Sequence, residues 1–221
     1  MSESNGEQVT ATPAKTLLTP DNCMFLFIDH QPQMYFGVGS DDVGSIINST
    51  VGLAKTAKVF NVPTVLTTVA SETFSGHMIP QLAAEFPDQK PLDRTSMNTW
   101  EDQTVVDAIK ATGRKKIVLS GLWTEVCLVL PTLSALAQGF EVYVVADASG
   151  GVSPAAHKHA IQRMIQAGAY PLTWVQVMLE LQRDWARVET YLPVRSVASE
   201  CAGAYGVGLA YAGDFIGVHA G

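Results

Sequence analysis

Three residues in this chain carry side chains suited to acyl transfer and stand just beyond expected strands: Asp29, Arg94 and Cys127. Cys127 lies in "KKIVLSGLWTEVCLVLPTLSALAQGF" (Lys115 to Phe140), six residues after a glycine that interrupts an apolar run and just ahead of a stretch with helical spacing. A thiol at a helix start meets unpaired backbone N–H groups and the positive end of the helix dipole, so its pKa is expected to fall and its thiolate to serve as a nucleophile. Pro131 fits that placement, because proline is tolerated near a helix start. The competing reading is a buried, inert cysteine, the commoner fate of a lone thiol.

Asp29 follows the apolar run "CMFLFI" directly. It either caps the next segment or, facing Cys127, accepts the thiol proton. Arg94 is either a surface charge or, inside a cleft, the group that keeps Asp29 ionised and stabilises negative charge nearby. Asp147 reads as a cap for the loop "DASGGVS". His157 and His159 are two positions apart and do not share a helical face, which disfavours a metal pair. His30 points away from Asp29 if the strand continues, and His77 stands alone in a loop.

These residues need a frame. The 221-residue chain is 47% hydrophobic and 16% charged, a globular composition long enough for a full core. Its net charge of -7 argues against nucleic acid as a partner, and its only tight basic cluster, Arg114-Lys115-Lys116, reads as a solvated turn before a strand. Three scattered cysteines, Cys23, Cys127 and Cys201, form neither a disulfide framework nor a zinc motif. No stretch is apolar for long enough to span a bilayer, and the polar start "MSESNGEQVTATPAKT" lacks a signal core, so the expectation is a cytoplasmic protein with no membrane partner.

Short apolar runs alternate with helical spacing. Strands are expected at Cys23 to Ile28, Pro63 to Val69, near Pro91-Leu92, and at Lys116 to Leu122, Glu141 to Ala146 and Tyr170 to Thr173. Helices are expected at Val43 to Phe60, Val105 to Ala111, Val126 to Gln138, Ala155 to Ala167 and Val177 to Arg187, and the Gly- and Pro-rich segment after Val69 reads as loop with a short helix. The pattern predicts a three-layer α/β/α sandwich around a mostly parallel six-stranded sheet. Residues 1–17 read as a flexible tail, 18–195 as the domain and 196–221 as a Gly-rich C-terminal arm, one option for the arm being to pack on a neighbouring subunit. Ligands of such sheets bind beyond the carboxyl ends of the strands, where Asp29, Arg94, Cys127 and Asp147 all fall. No GxGxxG follows the first strand and no GxSxG elbow occurs, so dinucleotide binding and a serine hydrolase lack support.

The stretches "FLFIDHQ", "DRTSMNTWED", "LSGLWTEVC" and "VYVVADASG" occur in that order between about Asp21 and Trp185 and together resemble the isochorismatase-like cysteine hydrolases. "RMIQAGAYPLTW" and "LQRDW" bring the chain nearest to the YcaC-type branch. The resemblance implies a Rossmann-like topology and an Asp-Lys-Cys triad, with Asp29 as base, Cys127 as nucleophile and Arg94 at the lysine position. That last residue departs from the family, since a guanidinium orients and stabilises charge but does not shuttle a proton.

The resemblance further implies a cis peptide at Leu122–Trp123, with the Trp123 and Cys127 backbone N–H groups forming an oxyanion hole. Gln31, Asn98 and Thr124 stand as candidate polar substrate contacts, and Phe74, Trp100 and Trp123 as apolar walls that would serve equally as packing. The Asp-x-His metal element of related nicotinamidases is missing from "TTVASETFSGH", so neither a metal nor another cofactor is expected. The expected function is metal-independent cysteine hydrolysis of small amide-like C–N substrates through an acyl-enzyme, by a homo-oligomer that the resemblance makes an octamer. The alternative is an oligomeric binding or scaffold protein of the same fold with little catalysis.

Overall fold

A computed structural model describes residues 14–214 of the chain. Six strands form one sheet: β1 (Cys23–Ile28), β2 (Thr64–Val69), β3 (Leu92–Arg94), β4 (Lys116–Gly121), β5 (Glu141–Val145) and β6 (Tyr170–Leu172). Between and after them run α1 (Pro32–Phe36), α2 (Val43–Val59), α3 (Pro80–Ala83), α4 (Gln103–Ala111), α5 (Val129–Ala137), α6 (Pro154–Gln166), α7 (Trp174–Gln182), α8 (Val188–Cys201) and α9 (Gly203–Asp214). Every strand pair is parallel, and the order is β3-β2-β1-β4-β5-β6.

β1 is the middle of this arrangement and shows why. All six of its side chains are buried. Cys23, Phe25 and Phe27 join the core beneath α2, α7 and α8, while Met24, Leu26 and Ile28 join the core beneath α4, α5 and α6. Only a strand covered on both faces tolerates an unbroken apolar run. Each fully buried Phe, Leu or Ile contributes about 1.5–3 kcal/mol, so Phe25→Asp would be expected to unfold the domain. The helices are fixed by ordinary caps: Asp42 accepts from Ser45 N, Asp102 from Val105 N, Ser153 from Ala156 N and Thr173 from Gln176 N.

The expected elements are present with shifted ends. The largest differences lie at the cysteine and at the C-terminal side. Val126 to Gln138 is not one regular helix: a π-helical turn, Thr124–Leu128, carries Cys127 and then passes into α5. The last expected helix begins earlier, at Trp174, because Asp147 Oδ1 accepts from Trp174 N at 2.9 Å and Thr173 caps the turn. The boundary expected at 195/196 falls inside α8, which packs with α7 on α2, and α9 folds back on α8. Residues 215–221 of the expected arm lie outside the described residues.

The same is true of residues 1–13 of the expected tail. Its end is held down: Tyr143 OH donates to Thr16 O at 2.6 Å, and Lys116 Nζ donates to the carbonyls of Lys15 and Leu17. Among the described residues no helix is long and apolar enough to cross a membrane.

Candidate active site

The strand order reverses between β1 and β4. The chain leaves β1 towards β2 and β3 on one side and returns through β4 towards β5 and β6 on the other. Loops diverge at such a switch point and leave a crevice beyond the carboxyl ends. Asp29 follows β1 and Cys127 follows β4, so the topology places both there.

Asp29 ends its strand at φ 58°, in the left-handed region that aspartate tolerates better than most side chains. Its carboxylate is fully buried and receives both arms of the Arg94 guanidinium, Nη1 to Oδ1 and Nη2 to Oδ2, each at 2.9 Å. Arg94 arrives from the end of β3, where the strand pairs Val69 with Arg94. It also donates to Thr68 O at 3.1 Å and Thr99 Oγ1 at 2.9 Å, so a short edge strand carries a tightly held cation. Burial pushes the Asp29 carboxyl up, and the Arg94 charge and hydrogen bonds oppose that rise.

The Cys127 thiol lies beside the Asp29 carboxylate and the Trp123 backbone N–H, and each acts on its proton affinity, Asp29 raising it and Trp123 lowering it. The lowered thiol pKa expected from a helix start is not what the structure shows. Burial, joined by the Asp29 negative charge, pushes Cys127 up to about 12. The physical reason is its position: the residue is 5% exposed, inside a π-helical turn and beside an anion, and desolvation outweighs the dipole of a short helix.

The turn before the cysteine depends on two glycines. A Cβ at Gly121 would stand 2.8 Å from Ile28 Cβ, so only glycine lets β4 end this close to β1. A Cβ at Gly37 would stand 2.3 Å from the Trp123 ring, whose Nε1 donates to Met34 O at 2.7 Å. The Leu122–Trp123 peptide bond is cis. Thr124 N donates to Gly150 O, and Thr124 Oγ1 meets His157 Nδ1 at 2.8 Å, which ties the turn to α6.

A cavity of about 290 Å³ opens beside Cys127, walled by Met34, Phe74, Met97, Trp123 and Val126. Phe74 and Trp123, two of the three expected apolar walls, line this cavity. The other four candidate contacts do not line it. Gln31 is fully buried and laces the floor together, with Val69 N donating to its Oε1 at 2.9 Å and its Nε2 donating to Gly76 O at 2.5 Å. Asn98 caps a single turn at Thr99–Glu101, accepting from Trp100 N and donating to Glu101 and Ser134. Trp100 packs edge-on against Phe140 with centroids 5.4 Å apart. Thr124 is buried at its histidine.

Sequence reasoning missed Met34, Met97 and Val126 as walls and Thr99 as a partner of Arg94. Val126 adjoins Cys127 and Thr99 lies in the Arg94 motif, so proximity in sequence was a usable signal for these two. Met34 is brought in only by the folding of α1. His30, expected to point away, is fully buried between Tyr35 OH at 2.8 Å and Ser120 Oγ at 3.1 Å. Among the described residues no three His, Cys, Asp or Glu gather to hold a metal ion.

A buried carboxylate, a thiol beside it and a cavity at the switch point of a parallel sheet define a hydrolase-type site. The chain belongs to the isochorismatase family, whose domain model matches residues 23–176, and it is an isochorismatase-family hydrolase similar to YcaC. It is 39% identical to the protein described as probable hydrolase YcaC of Escherichia coli K12, over 76% of this chain and 81% of that one. The crystal structure of the E. coli YcaC gene product, described as an octameric hydrolase of unknown specificity, superposes with a TM-score of 0.86 at 35% identity, covering 93% of this chain and all of that one. YcaC from Pseudomonas aeruginosa, solved with hexane-2,5-diol and covalent acrylamide, gives a TM-score of 0.85 at 34% identity, covering 91% of this chain and all of that one.

Proposed function

We propose that the protein is a cysteine hydrolase of small amide-like C–N substrates and that its reaction passes through an acyl-enzyme on Cys127. The observation that carries this reading is the juxtaposition of the Cys127 thiol and the Asp29 carboxylate, itself clamped by Arg94, at the wall of the cavity. The thiol rests protonated. As Sγ attacks the substrate carbonyl carbon, its proton moves to Asp29, so no free thiolate has to accumulate. The carbonyl oxygen becomes an oxyanion, for which the Trp123 and Cys127 N–H groups are the candidate donors. Collapse of this intermediate breaks the C–N bond. The proton held by Asp29 passes to the departing nitrogen, and ammonia or an amine leaves a thioester. Water then attacks the thioester, Asp29 takes its proton, and the acid departs as the thiol is restored.

Arg94 keeps Asp29 competent as a base and holds it still, the role left to a residue that cannot exchange its own proton. The covalent acrylamide of P. aeruginosa YcaC supports a reactive group in a neighbouring member of the fold. The same branch supports a homo-oligomer, octameric as in E. coli YcaC. Val188, Leu192 and Val207, each about 70% exposed on α8 and α9, are the kind of apolar surface a neighbouring subunit covers. Light scattering at micromolar concentration should therefore give a multiple of the subunit mass, and a monomer would refute it.

The direct test of the chemistry is acid quenching during turnover of small amides, followed by mass spectrometry. An acyl group on the peptide carrying Cys127, absent from Cys127→Ala, is the expected result. Turnover retained in Cys127→Ala would overturn the assignment.

A further inference from the structure

We infer that the acyl part of the substrate is uncharged and apolar. The inference rests on the hydrolase reading above and adds the class of molecule the site accepts. Among the described residues, those lining the cavity beside Cys127 include no acid or base apart from the thiol itself. Its walls are side chains of Met34, Val69, Phe74, Met97, Trp123 and Val126, and its polar wall residues, Ser75 and Thr95, are neutral. At the mouth, Phe74 is 62% and Met97 63% exposed, so the apolar path continues out to solvent.

Among the described residues Arg94 is the cation that acts on Cys127, and its terminal nitrogens are not free to recognise an anion, while its Nε is buried. Arg94 is 4% exposed, and its two terminal nitrogens already make four hydrogen bonds, two of them to Asp29. Asp29 is equally committed and does not offer a counter-charge to an ammonium group. Charged residues do occur close by in sequence, but the fold sends them elsewhere. Asp93 alternates with Arg94 along β3 and faces a separate cleft of about 270 Å³ that it shares with Glu72, His77 and Lys90. A carboxylate or ammonium drawn in beside Cys127 would lose hydration and gain no opposite charge. An alkyl or aryl group would instead shed water favourably against the methionines and the tryptophan.

The test is a series of primary amides assayed with the full-length protein. From acetamide to propionamide to butyramide, kcat/KM should rise by about fourfold per methylene, the ratio expected for burying one CH2 group. Succinamate should fall at least tenfold below its neutral twin 4-methylpentanamide, and 4-aminobutanamide at least tenfold below pentanamide. A gap of less than tenfold in either pair, or no rise with chain length, overturns the inference.

Binding to Cys127→Ala, read by ligand-detected NMR with the same amides, separates this inference from the reading beneath it. The same order of affinity without turnover by the wild type would sink the hydrolase reading and leave the apolar assignment standing. Equal affinities for charged and neutral twins would overturn the assignment. Met97→Lys places a cation at the mouth and should raise the succinamate to 4-methylpentanamide ratio at least tenfold. An unchanged ratio would show that this mouth does not meet the substrate and would also overturn it.

Discussion

Arg94→Met should be among the most damaging single substitutions in the protein, and its partner substitution should repair it. Arg94 and Asp29 side chains are both wholly out of solvent, and the guanidinium meets the carboxylate at two points. Removing one member of a buried pair typically costs about 3–5 kcal/mol, because the other charge is left without compensation. Thr68 O and Thr99 Oγ1 also lose their donor. Asp29 then limits the penalty by holding a proton, itself a cost at neutral pH, since burial already pushes its pKa up and Arg94 is the main influence opposing this. A protonated Asp29 cannot accept from Cys127, so turnover should fall by at least a hundredfold.

Asp29→Asn in the Arg94→Met background removes the stranded charge and should restore most of the lost stability, with activity still absent. Arg94→Lys keeps the charge but not the two-point geometry, and should lie between wild type and Arg94→Met in both stability and rate. The assay is urea unfolding at fixed subunit concentration for the four members of the cycle, with amide turnover alongside. If Arg94→Met unfolds within about 1 kcal/mol of wild type and the double variant is no more stable, the buried pair does not work as argued.

His30 makes folding sensitive to acid. Full burial lowers its pKa to about 3. The unfolded chain therefore binds the extra proton first, so the contribution of neutral His30 is complete above about pH 6.5 and is lost as the pH falls towards 3, amounting to about 2 kcal/mol between pH 7 and pH 5. His30→Asn should be less stable at pH 7 but lose less between pH 7 and 5; parallel curves in chemical denaturation would refute this. Iodoacetamide labelling of Cys127 in wild type should climb with pH without a plateau near neutrality, because the thiol is pushed up to about 12. Asp29→Asn removes the adjacent negative charge and should speed labelling at pH 8 while abolishing turnover; slower labelling would contradict the stated cause. Cys23 donates to Thr19 O at the far end of β1, so Cys23→Ala should cost about 1–2 kcal/mol in urea unfolding and leave kcat/KM unchanged, and a loss of rate would count against that reading.

Local sequence determined much of this protein. Unbroken apolar runs such as "CMFLFI" specified strands buried on both faces, and their alternation with helical spacing specified a parallel sheet. Asp29 and Cys127 were legible as candidates because each follows such a run, and sites on α/β sheets lie beyond strand ends. What needed the tertiary structure was anything set by distant neighbours. Strand order put β1 against β4 and so brought Asp29 to Cys127. The two-point pair with Arg94 depends on a three-residue edge strand whose register the sequence alone does not define.

The thiol's pKa reversed sign because burial and the Asp29 charge are properties of the packed site, whereas a sequence shows only the helix start. Gln31, Asn98, Trp100 and Thr124 lie in the same motifs as the reactive residues, yet they hold loops and turns in place, since whether a side chain meets a ligand or a neighbour is decided by packing. The apolar character of the cavity was equally hidden. Met34 and Met97 give no signal in sequence, and only the fold gathers them with Val126 around one sulfur.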